Sequence, residues 1–368
     1  MGRPGPARVG AKQSRSSEDN DRRPDGTGTP VASRFVAILL ETHAGYLEHN
    51  TGPGHPERPA RLVAVLQGID DAGIADEVVS VSPRAATDAE VARAHVPEFV
   101  DALRRFCITG GGQLDPDTAA VPASWDAALL AAGAGLDAAE RLERGEGDAA
   151  FCAVRPPGHH ATPSRAMGFC LLNNVAVTAA ALVARGERVA IVDWDAHHGN
   201  GTQDCFYGDA GVLYVSMHEF PLYPGTGRLD ETGAGSGEGL TVNFPFPAGT
   251  TGDAYLAAVD EVVGPVIERF APSWLLLSAG FDAHRADPLT GLGLAAGDYA
   301  DLTRRLLPLV PRGRVIAFLE GGYDLEALAL SAGACVAAMA GLDYRPEPAT
   351  GGGAGRAVVE AALRLHVG

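Results

Sequence analysis

An apolar run that ends abruptly in charge is the feature that most constrains the fold of this 368-residue chain. Residues Val189 to Val192 are aliphatic and mostly β-branched, which is typical of a strand buried on both faces. Asp193, Asp195 and His197 follow at a spacing of two, so they share one side if the strand continues. Two carboxylates and an imidazole at such a strand end indicate a metal site. A polar strand end that bonds to the following loop is the alternative.

Strand-like and helix-like runs alternate along the chain after residue 34. Strands are predicted at 35–40, 151–155, 189–195, 212–216, 274–278 and 315–319. Helices are predicted at 61–71, 87–91, 96–106, 124–144, 172–184, 252–269, 297–307, 325–339 and 354–366. This alternation predicts one α/β domain over residues 35–368, with a parallel sheet that helices flank on both faces. Residues 1–34, which are rich in glycine, proline and arginine, are expected to form a disordered tail.

Polar residues come directly after several of these strands, and the carboxyl ends of parallel strands share one crevice. Asp282 follows the strand at 274–278, so it is a candidate third ligand beside Asp195 and His197. Three protein ligands and one open position are the usual set of a catalytic zinc ion. The sequence therefore predicts one catalytic metal ion at this edge of the sheet.

The other polar residues at the strand ends supply acid, base and hydrogen-bond chemistry. His159 and His160 are candidates for proton transfer, and Asp193 and Asn200 are candidates for orienting them. Tyr323, beside two glycines, is a candidate donor to a developing oxyanion. With a metal ion, these groups predict amide hydrolysis. Tandem histidines and a Gly-Gly-Tyr turn also occur as purely structural features, so each motif alone leaves that alternative open.

Charge and cysteine usage disfavour several classes of protein. The formal net charge of -17 disfavours a nucleic-acid binder, since phosphate contacts need a basic surface. The five cysteines lie far apart without a CxxC pair, which favours a reducing compartment over a disulfide framework. No apolar run is long enough to span a membrane and the N-terminus does not resemble a signal peptide, so a cytoplasmic location is expected.

Five motifs in order resemble the zinc-dependent histone deacetylase family, over a stretch from about His43 to Ala338. They read PPGHHA at 156–161, GFC at 168–170, DWDAHHGNGT at 193–202, SAGFDA at 278–283 and LEGGY at 319–323. The resemblance implies the arginase/deacetylase fold, with a single parallel sheet of about eight strands. It also implies Zn²⁺ on Asp195, His197 and Asp282.

The same resemblance implies residue roles. His160 corresponds to the general base, and His159 to its charge-stabilising partner, which pairs with Asp193. Asn200 stands beside His160 where class I members have aspartate. The chain therefore resembles the class II members and the bacterial acetylpolyamine amidohydrolases. Tyr323 corresponds to the oxyanion donor, and its presence implies a competent enzyme rather than an inactive acyl-lysine binding protein.

A narrow substrate tunnel and structural K⁺ are also implied by the resemblance. The tunnel residues would be Gly168, Phe169, Tyr223, Leu289, Gly321 and Gly322. Arg61 would line an internal cavity behind the site. One K⁺ would bind Asp193, Ser216 and Met217, with the backbone of Asp195 and His197. A second would bind carbonyls near Phe206, Asp209, Val212 and Leu240.

Two substrate classes stay open. The first is acyl-lysine in a protein or peptide, from which acetyl or related groups would be removed, with hydroxamates as expected inhibitors. The second is acetylated polyamines, because Asp115 and Asp117 are candidate acids at the tunnel rim, although their sequence is also turn-like. Leu289 stands where a polyamine-selective class IIb member has an acidic gatekeeper. The bacterial polyamine enzymes form dimers, which leaves a homo-oligomer open.

Departures from a related branch indicate the number of metal ions. Ureohydrolases of the arginase type carry two Mn²⁺ on Asp-x-His-x-Asp and Asp-x-Asp motifs. Gly199 and His284 stand here at the positions of two of those carboxylates. One catalytic ion is therefore expected.

Overall fold

Eight parallel strands form a central sheet whose carboxyl ends meet at one edge. Together with a separate pair, the strands of the described residues are, in chain order, β1 (Ile38–Glu41), β2 (Val78–Val81), β3 (Gly112–Gln113), β4 (Ala119–Ala120), β5 (Ala149–Cys152), β6 (Val189–Asp193), β7 (Val212–Glu219), β8 (Thr241–Phe246), β9 (Trp274–Ala279) and β10 (Val315–Leu319). β3 and β4 form a separate antiparallel pair, and the sheet has the order β2-β1-β5-β10-β9-β6-β7-β8. The prediction of one parallel sheet with about eight strands is confirmed.

The structure is a computed structural model that describes residues 1–2 and 36–368. Residues 36–368 form one compact unit. The disordered tail predicted for residues 1–34 lies outside the described residues apart from its first two, and so does Phe35, so the tail and the domain boundary stay predictions. None of the helices in the described ranges is both long and apolar enough to cross a bilayer.

Helices pack around this sheet in the described part of the chain. The α-helices are α1 (Ala60–Asp71), α2 (Asp88–Val91), α3 (Pro97–Ile108), α4 (Ser124–Glu143), α5 (Asn174–Val183), α6 (Asn200–Phe206), α7 (Gly252–Ala258), α8 (Gly264–Phe270), α9 (Ala296–Leu306), α10 (Leu325–Met339) and α11 (Arg356–His366). α1 and α9 both pack on α10, and α4 packs on α5. α2 begins with a capping box, in which the Thr87 hydroxyl accepts from the N–H of Glu90 and the Glu90 carboxylate accepts from that of Thr87.

The two edge strands are among the elements that the sequence pattern does not predict, as are β3, β4 and α6. β2 exposes two of its four residues, so it lacks the apolar run of a central strand. β8 contains Pro245, which cannot donate to a neighbouring strand and is tolerated because no strand of residues 36–368 pairs beyond this edge. Edge strands are buried less than central ones, and their sequence signal is correspondingly weaker.

Two predicted elements end or change where local hydrogen bonding intervenes. The strand predicted at 189–195 ends at Asp193, because Asp193 Oδ1 accepts the N–H of Asp195 at 3.1 Å and turns the chain. The condition under which Asp193, Asp195 and His197 would share one strand face, that the strand continues past Asp193, is therefore not met. The helix predicted at 252–269 contains a π-helical turn at Val259–Val263, next to Pro265, which has no N–H to donate.

Candidate active site

Three buried donor groups meet beyond the ends of β6 and β9. Asp195, His197 and Asp282 place one ligand atom each within 4.8 Å of the other two. His197 Nδ1 lies 3.0 Å from Asp282 Oδ2 and 3.3 Å from Asp195 Oδ1. Ligands about 2.0 Å from a tetrahedral Zn²⁺ stand about 3.3 Å apart, so these separations fit one ion. The structure thus brings together the three residues predicted as ligands.

The charges of this cluster also fit a cation. Burial, and after it the negative charge of Asp195, raises the pKa of Asp282 to about 7. Burial favours a lower pKa for His197, but hydrogen bonds to Asp195 and Asp282 outweigh it and raise that pKa to about 10. The two carboxylates therefore favour a positive charge next to His197 Nδ1. A divalent cation supplies that charge and leaves the imidazole neutral, which is the form that binds metal.

Glycine and backbone N–H groups hold the two carboxylates in place. The N–H of Gly321 donates to Asp195 Oδ2 at 2.7 Å, and that of Ala196 donates to Asp282 Oδ1 at 2.7 Å. A Cβ on Gly321 would lie 2.2 Å from Asp282 Oδ2, and one on Gly280 would lie 2.0 Å from Asp195 Oδ2. Only glycine lets the loops after β9 and β10 close this tightly around the carboxylates.

The tandem histidines lie beside this cluster, and each has its own orienting partner. His159 Nδ1 lies 3.0 Å from Asp193 Oδ2, and His160 Nδ1 donates to Asn200 Oδ1 at 2.9 Å. The two rings stand 4.0 Å apart between centroids. Because an amide oxygen only accepts, His160 carries its proton on Nδ1 and leaves a lone pair on Nε2. The structure thus pairs the histidines as predicted, and it makes Nε2 the basic atom of His160.

Opposite electrostatic surroundings separate the two histidines. Burial favours a lower pKa for His159, but the carboxylates of Asp195 and Asp193 outweigh it and raise that pKa to about 10. For His160, burial and the positive charges of His159 and His197 hold the pKa well below its usual range. A neutral His160 can accept a proton and a charged His159 can stabilise negative charge or donate one.

Tyr323 stands over Arg61, which braces it from inside the protein. The Arg61 guanidinium carbon lies 4.9 Å from the centroid of the tyrosine ring, and Nε donates to the Gly322 carbonyl at 2.6 Å. Burial raises the pKa of Tyr323 well above its usual range, with Arg61 acting in the opposite direction, so the hydroxyl keeps its proton and can donate. The internal cavity predicted beside Arg61 stays a prediction.

A cavity of about 210 Å³ leads from the surface to His160 and His197. It is lined by Asp117, His160, Gly168, Phe169, His197, Leu222, Tyr223, Leu289 and Tyr323. The predicted tunnel residues Gly168, Phe169, Tyr223 and Leu289 line it. Gly321 and Gly322 do not: Gly321 lies against the carboxylates of the ligand cluster, and the carbonyl of Gly322 bonds to Arg61. The Phe169 and Tyr323 rings meet edge to face at 5.7 Å, and Tyr223 meets His160 at 5.1 Å. Aromatic walls of this kind suit an apolar chain that ends in an amide.

The two candidate rim acids have different surroundings. Asp115 Oδ1 accepts the N–H groups of Asp117 and Thr118 at 3.1 and 2.8 Å, so Asp115 builds the turn. Asp117 lines the cavity, and its carboxylate accepts the Thr118 hydroxyl at 2.8 Å. The Thr118 hydroxyl oxygen in turn accepts the N–H of Phe169 at 3.0 Å, which ties the rim to the tunnel wall. Of the two acids, Asp117 is thus the one that lines the cavity.

The residues predicted for K⁺ binding lie in two places. Asp193 and Ser216 are register partners on β6 and β7, and the Met217 carbonyl accepts the Tyr255 hydroxyl at 3.3 Å. The second group lies at the opposite ends of β7 and β8. Val212 begins β7, Leu240 precedes β8, and the carbonyls of Phe206 and Leu240 accept backbone N–H groups.

A buried ion-pair network supports the site, and sequence reasoning did not assign it a role. Arg155 donates to both oxygens of Glu57, at 2.5 and 2.7 Å, and Arg61 donates to the same carboxylate at 3.2 Å. Burial favours a higher pKa for Glu57, but Arg155 outweighs it and holds that pKa well below its usual range. Glu320 Oε2 accepts the N–H groups of Gly158 and His159, which fixes the histidine loop. The charged residues of the proline-rich segment HPERPAR at 55–61 and of the glycine-rich motif LEGGY at 319–323 were the sequence features that could have indicated this network.

The comparison with known proteins settles the family. A family model described as the histone deacetylase domain matches residues 55–339. The chain belongs to the histone deacetylase family. Its members are generally metal-dependent hydrolases, and the buried donor group described above is a candidate for that metal.

Relatives in this family come from archaea, bacteria and plants. A probable deacetylase of Archaeoglobus fulgidus is 44% identical over 308 residues, which cover 82% of this chain and 86% of the relative. The histone deacetylase-like amidohydrolase of Pseudomonas aeruginosa is 35% identical, over 76% of this chain and 75% of the relative. The crystal structure of the HDA15 HD domain superposes with a TM-score of 0.82 at 37% identity, over 90% of this chain and 94% of that one. This likeness confirms the predicted arginase/deacetylase fold.

Proposed function

We propose that the protein is a zinc-dependent amidohydrolase that removes acetyl or related acyl groups from acyl-lysine side chains. The observation that carries the proposal is a cluster of three ligand-type groups, one of which, His197, lines an aromatic-walled cavity together with the neutral His160 and Tyr323. Zn²⁺ bound by Asp195, His197 and Asp282 would polarise the amide carbonyl and acidify a water molecule.

The chain's own groups would move the protons. The neutral His160 ring takes a proton from the attacking water on Nε2, the nitrogen that carries a free lone pair. The Tyr323 hydroxyl donates to the oxyanion that develops on the carbonyl oxygen. The charged His159 ring stabilises this negative charge, and a histidine returns a proton to the departing amine. Acetate and the free lysine amine are the products.

Substitution of Tyr323 by phenylalanine tests the proposal directly. Removal of one oxyanion donor lowers kcat by about 10² to 10³-fold, so a loss of this size is expected on an acetyl-lysine fluorogenic peptide. KM is expected to change little, because the hydroxyl acts mainly in the transition state.

A matched control for this change is Tyr299→Phe. Tyr299 is also buried, and within residues 36–368 its hydroxyl has no hydrogen-bond partner. Its loss is expected to leave kcat unchanged. Full activity of Tyr323→Phe would refute the oxyanion role, and a wild-type protein that carries zinc but turns over no acyl amide would be an acyl-lysine binding protein instead.

Hydrolysis of acetylated polyamines is the second candidate, and Asp117 is the observation that favours it. Its carboxylate lines the tunnel, where a polyamine ammonium group would pass, and the net charge of -17 would attract a cation. Leu289, which also lines the tunnel, offers no such attraction.

Comparing kcat/KM for an acetyl-lysine peptide with those for acetylputrescine and acetylspermidine separates the two candidates. If polyamines are the substrates, Asp117→Asn should lower kcat/KM for acetylspermidine by about fivefold to tenfold, since a half-exposed charge contact contributes about 1 kcal/mol. Asp126→Asn makes the same charge change on the exposed face of α4 and should have no effect. Equal losses in both variants would mean that only the net charge matters.

We also propose structural K⁺ at the two groups of carbonyl and carboxylate oxygens described above, because hard oxygen donors suit such ions. A cytoplasmic location is supported by the five cysteines, all of which are free thiols. Hydroxamates, which bind metal, are the expected inhibitors.

A further inference from the structure

A single buried carboxylate joins the two loops that carry the tunnel mouth and Tyr323. Asp287 is 7% exposed and lies in the loop after β9. Its Oδ1 accepts the N–H of Leu289 at 3.0 Å, and its Oδ2 accepts those of Tyr323 at 2.7 Å and Asp324 at 3.4 Å. Thus one side chain holds the backbone of a residue 36 positions further along the chain.

The opposite side of the same loop is held by Arg61, so Tyr323 is fixed between two anchors. Arg61 Nε donates to the carbonyl of Gly322, and Asp287 accepts the N–H of Tyr323. Gly322 has a φ of 118°, a conformation that only glycine adopts readily, so nothing in its own side chain restricts the peptide plane before Tyr323. The peptide unit between Gly322 and Tyr323 is therefore held at its carbonyl by Arg61 and at its N–H by Asp287.

We propose that Asp287 is a positioning residue, which holds the backbone of Tyr323 so that the hydroxyl reaches the reacting carbonyl. This inference rests on the proposed function. Asp287 is neither one of the three ligand-type residues nor part of the tunnel lining in the described residues, so the proposal assigns its effect to the backbone that it holds. A misplacement of about 1 Å in a catalytic group lowers rates by about 100-fold, so loss of the bond from the Tyr323 N–H to Asp287 should lower kcat measurably.

Asp287→Asn is the first variant, because the amide keeps one acceptor oxygen and replaces the other with a donor. We expect kcat on the acetyl-lysine peptide to fall about 10- to 100-fold, KM to change less than kcat, and zinc content to stay at the wild-type level. The decisive measurement is the same substitution in a Tyr323→Phe background. There we expect less than about a twofold further loss, because the hydroxyl that Asp287 positions is already absent.

Asp298→Asn is the matched control. Asp298 on α9 is fully buried and likewise accepts backbone N–H groups, from Ala295 at 2.8 Å and Thr350 at 2.9 Å. This variant should lose stability but keep its kcat. If Asp287→Asn does not fold, Asp287→Glu keeps both acceptor oxygens and shifts them by one methylene, and its smaller kcat deficit should also vanish in the Tyr323→Phe background.

Three results would overturn the proposal. One is an unchanged kcat in both Asp287 variants. Another is a loss of the same size with and without the Tyr323 hydroxyl, and the third is loss of zinc from Asp287→Asn. Failure of the proposed function looks different, since the wild-type protein itself would then not turn over the acetyl-lysine peptide.

Discussion

Substitution of Asp282 by asparagine is expected to abolish turnover and zinc binding without weakening the fold. A metal ion supplies several kcal/mol of transition-state stabilisation, so its loss lowers the rate by at least about 1,000-fold. The amide of the variant would keep an oxygen for the N–H of Ala196, which in the wild-type protein donates to Asp282 Oδ1. The substitution would also remove the repulsion from Asp195 that, after burial, raises the pKa of Asp282 to about 7. The metal-free variant should therefore unfold at the same temperature as the metal-free wild-type protein, or at a higher one.

Metal analysis and thermal unfolding with and without added Zn²⁺ check this prediction. Zn²⁺ should raise the melting temperature of the wild-type protein, because a ligand that binds only the folded state stabilises it, and it should not raise that of Asp282→Asn. Asp298→Asn, which removes a buried carboxylate elsewhere, should keep both zinc and the melting shift. Stoichiometric zinc in Asp282→Asn would refute the ligand assignment.

Substitution of His160 by alanine has the second large expected effect, a loss in kcat of about 10² to 10⁴-fold with zinc retained. The neutral ring is the group with a free lone pair on Nε2, and general-base catalysis contributes a factor of this size. His159 cannot substitute for it, because Asp195 and Asp193 outweigh the effect of burial and raise the pKa of that ring to about 10.

His95→Ala is the control for loss of a buried imidazole. His95 bonds to the carbonyl of Thr162 at 3.0 Å and accepts the N–H of Asn173 at 2.9 Å, outside the tunnel lining of the described residues. This variant should unfold at a lower temperature and keep its kcat. A loss of less than about tenfold in His160→Ala would mean that another group takes the proton.

Much of the fold could be predicted from local patterns, and the errors have physical causes. The central strands are buried along their whole length, so apolar runs identified them. The edge strands β2 and β8 were missed because burial is partial in one and Pro245 interrupts the other. The strand end at Asp193 was misplaced because a side-chain oxygen that accepts the N–H of Asp195 leaves no trace in hydrophobic periodicity.

The sequence by itself predicted the parallel α/β fold, the family motifs and the candidate ligands, since each rests on residue types within short segments at the ends of predicted strands. Only the tertiary structure decided which groups act on one another across the strand ends. It lowered the pKa of His160 through burial and the positive charges of His159 and His197, and it raised that of His159 through the carboxylates of Asp195 and Asp193, which are distant in sequence. It separated Asp117 at the rim from Asp115 in the turn. It also placed Asp287 against the backbone of Tyr323, a contact across 36 residues that no local pattern encodes.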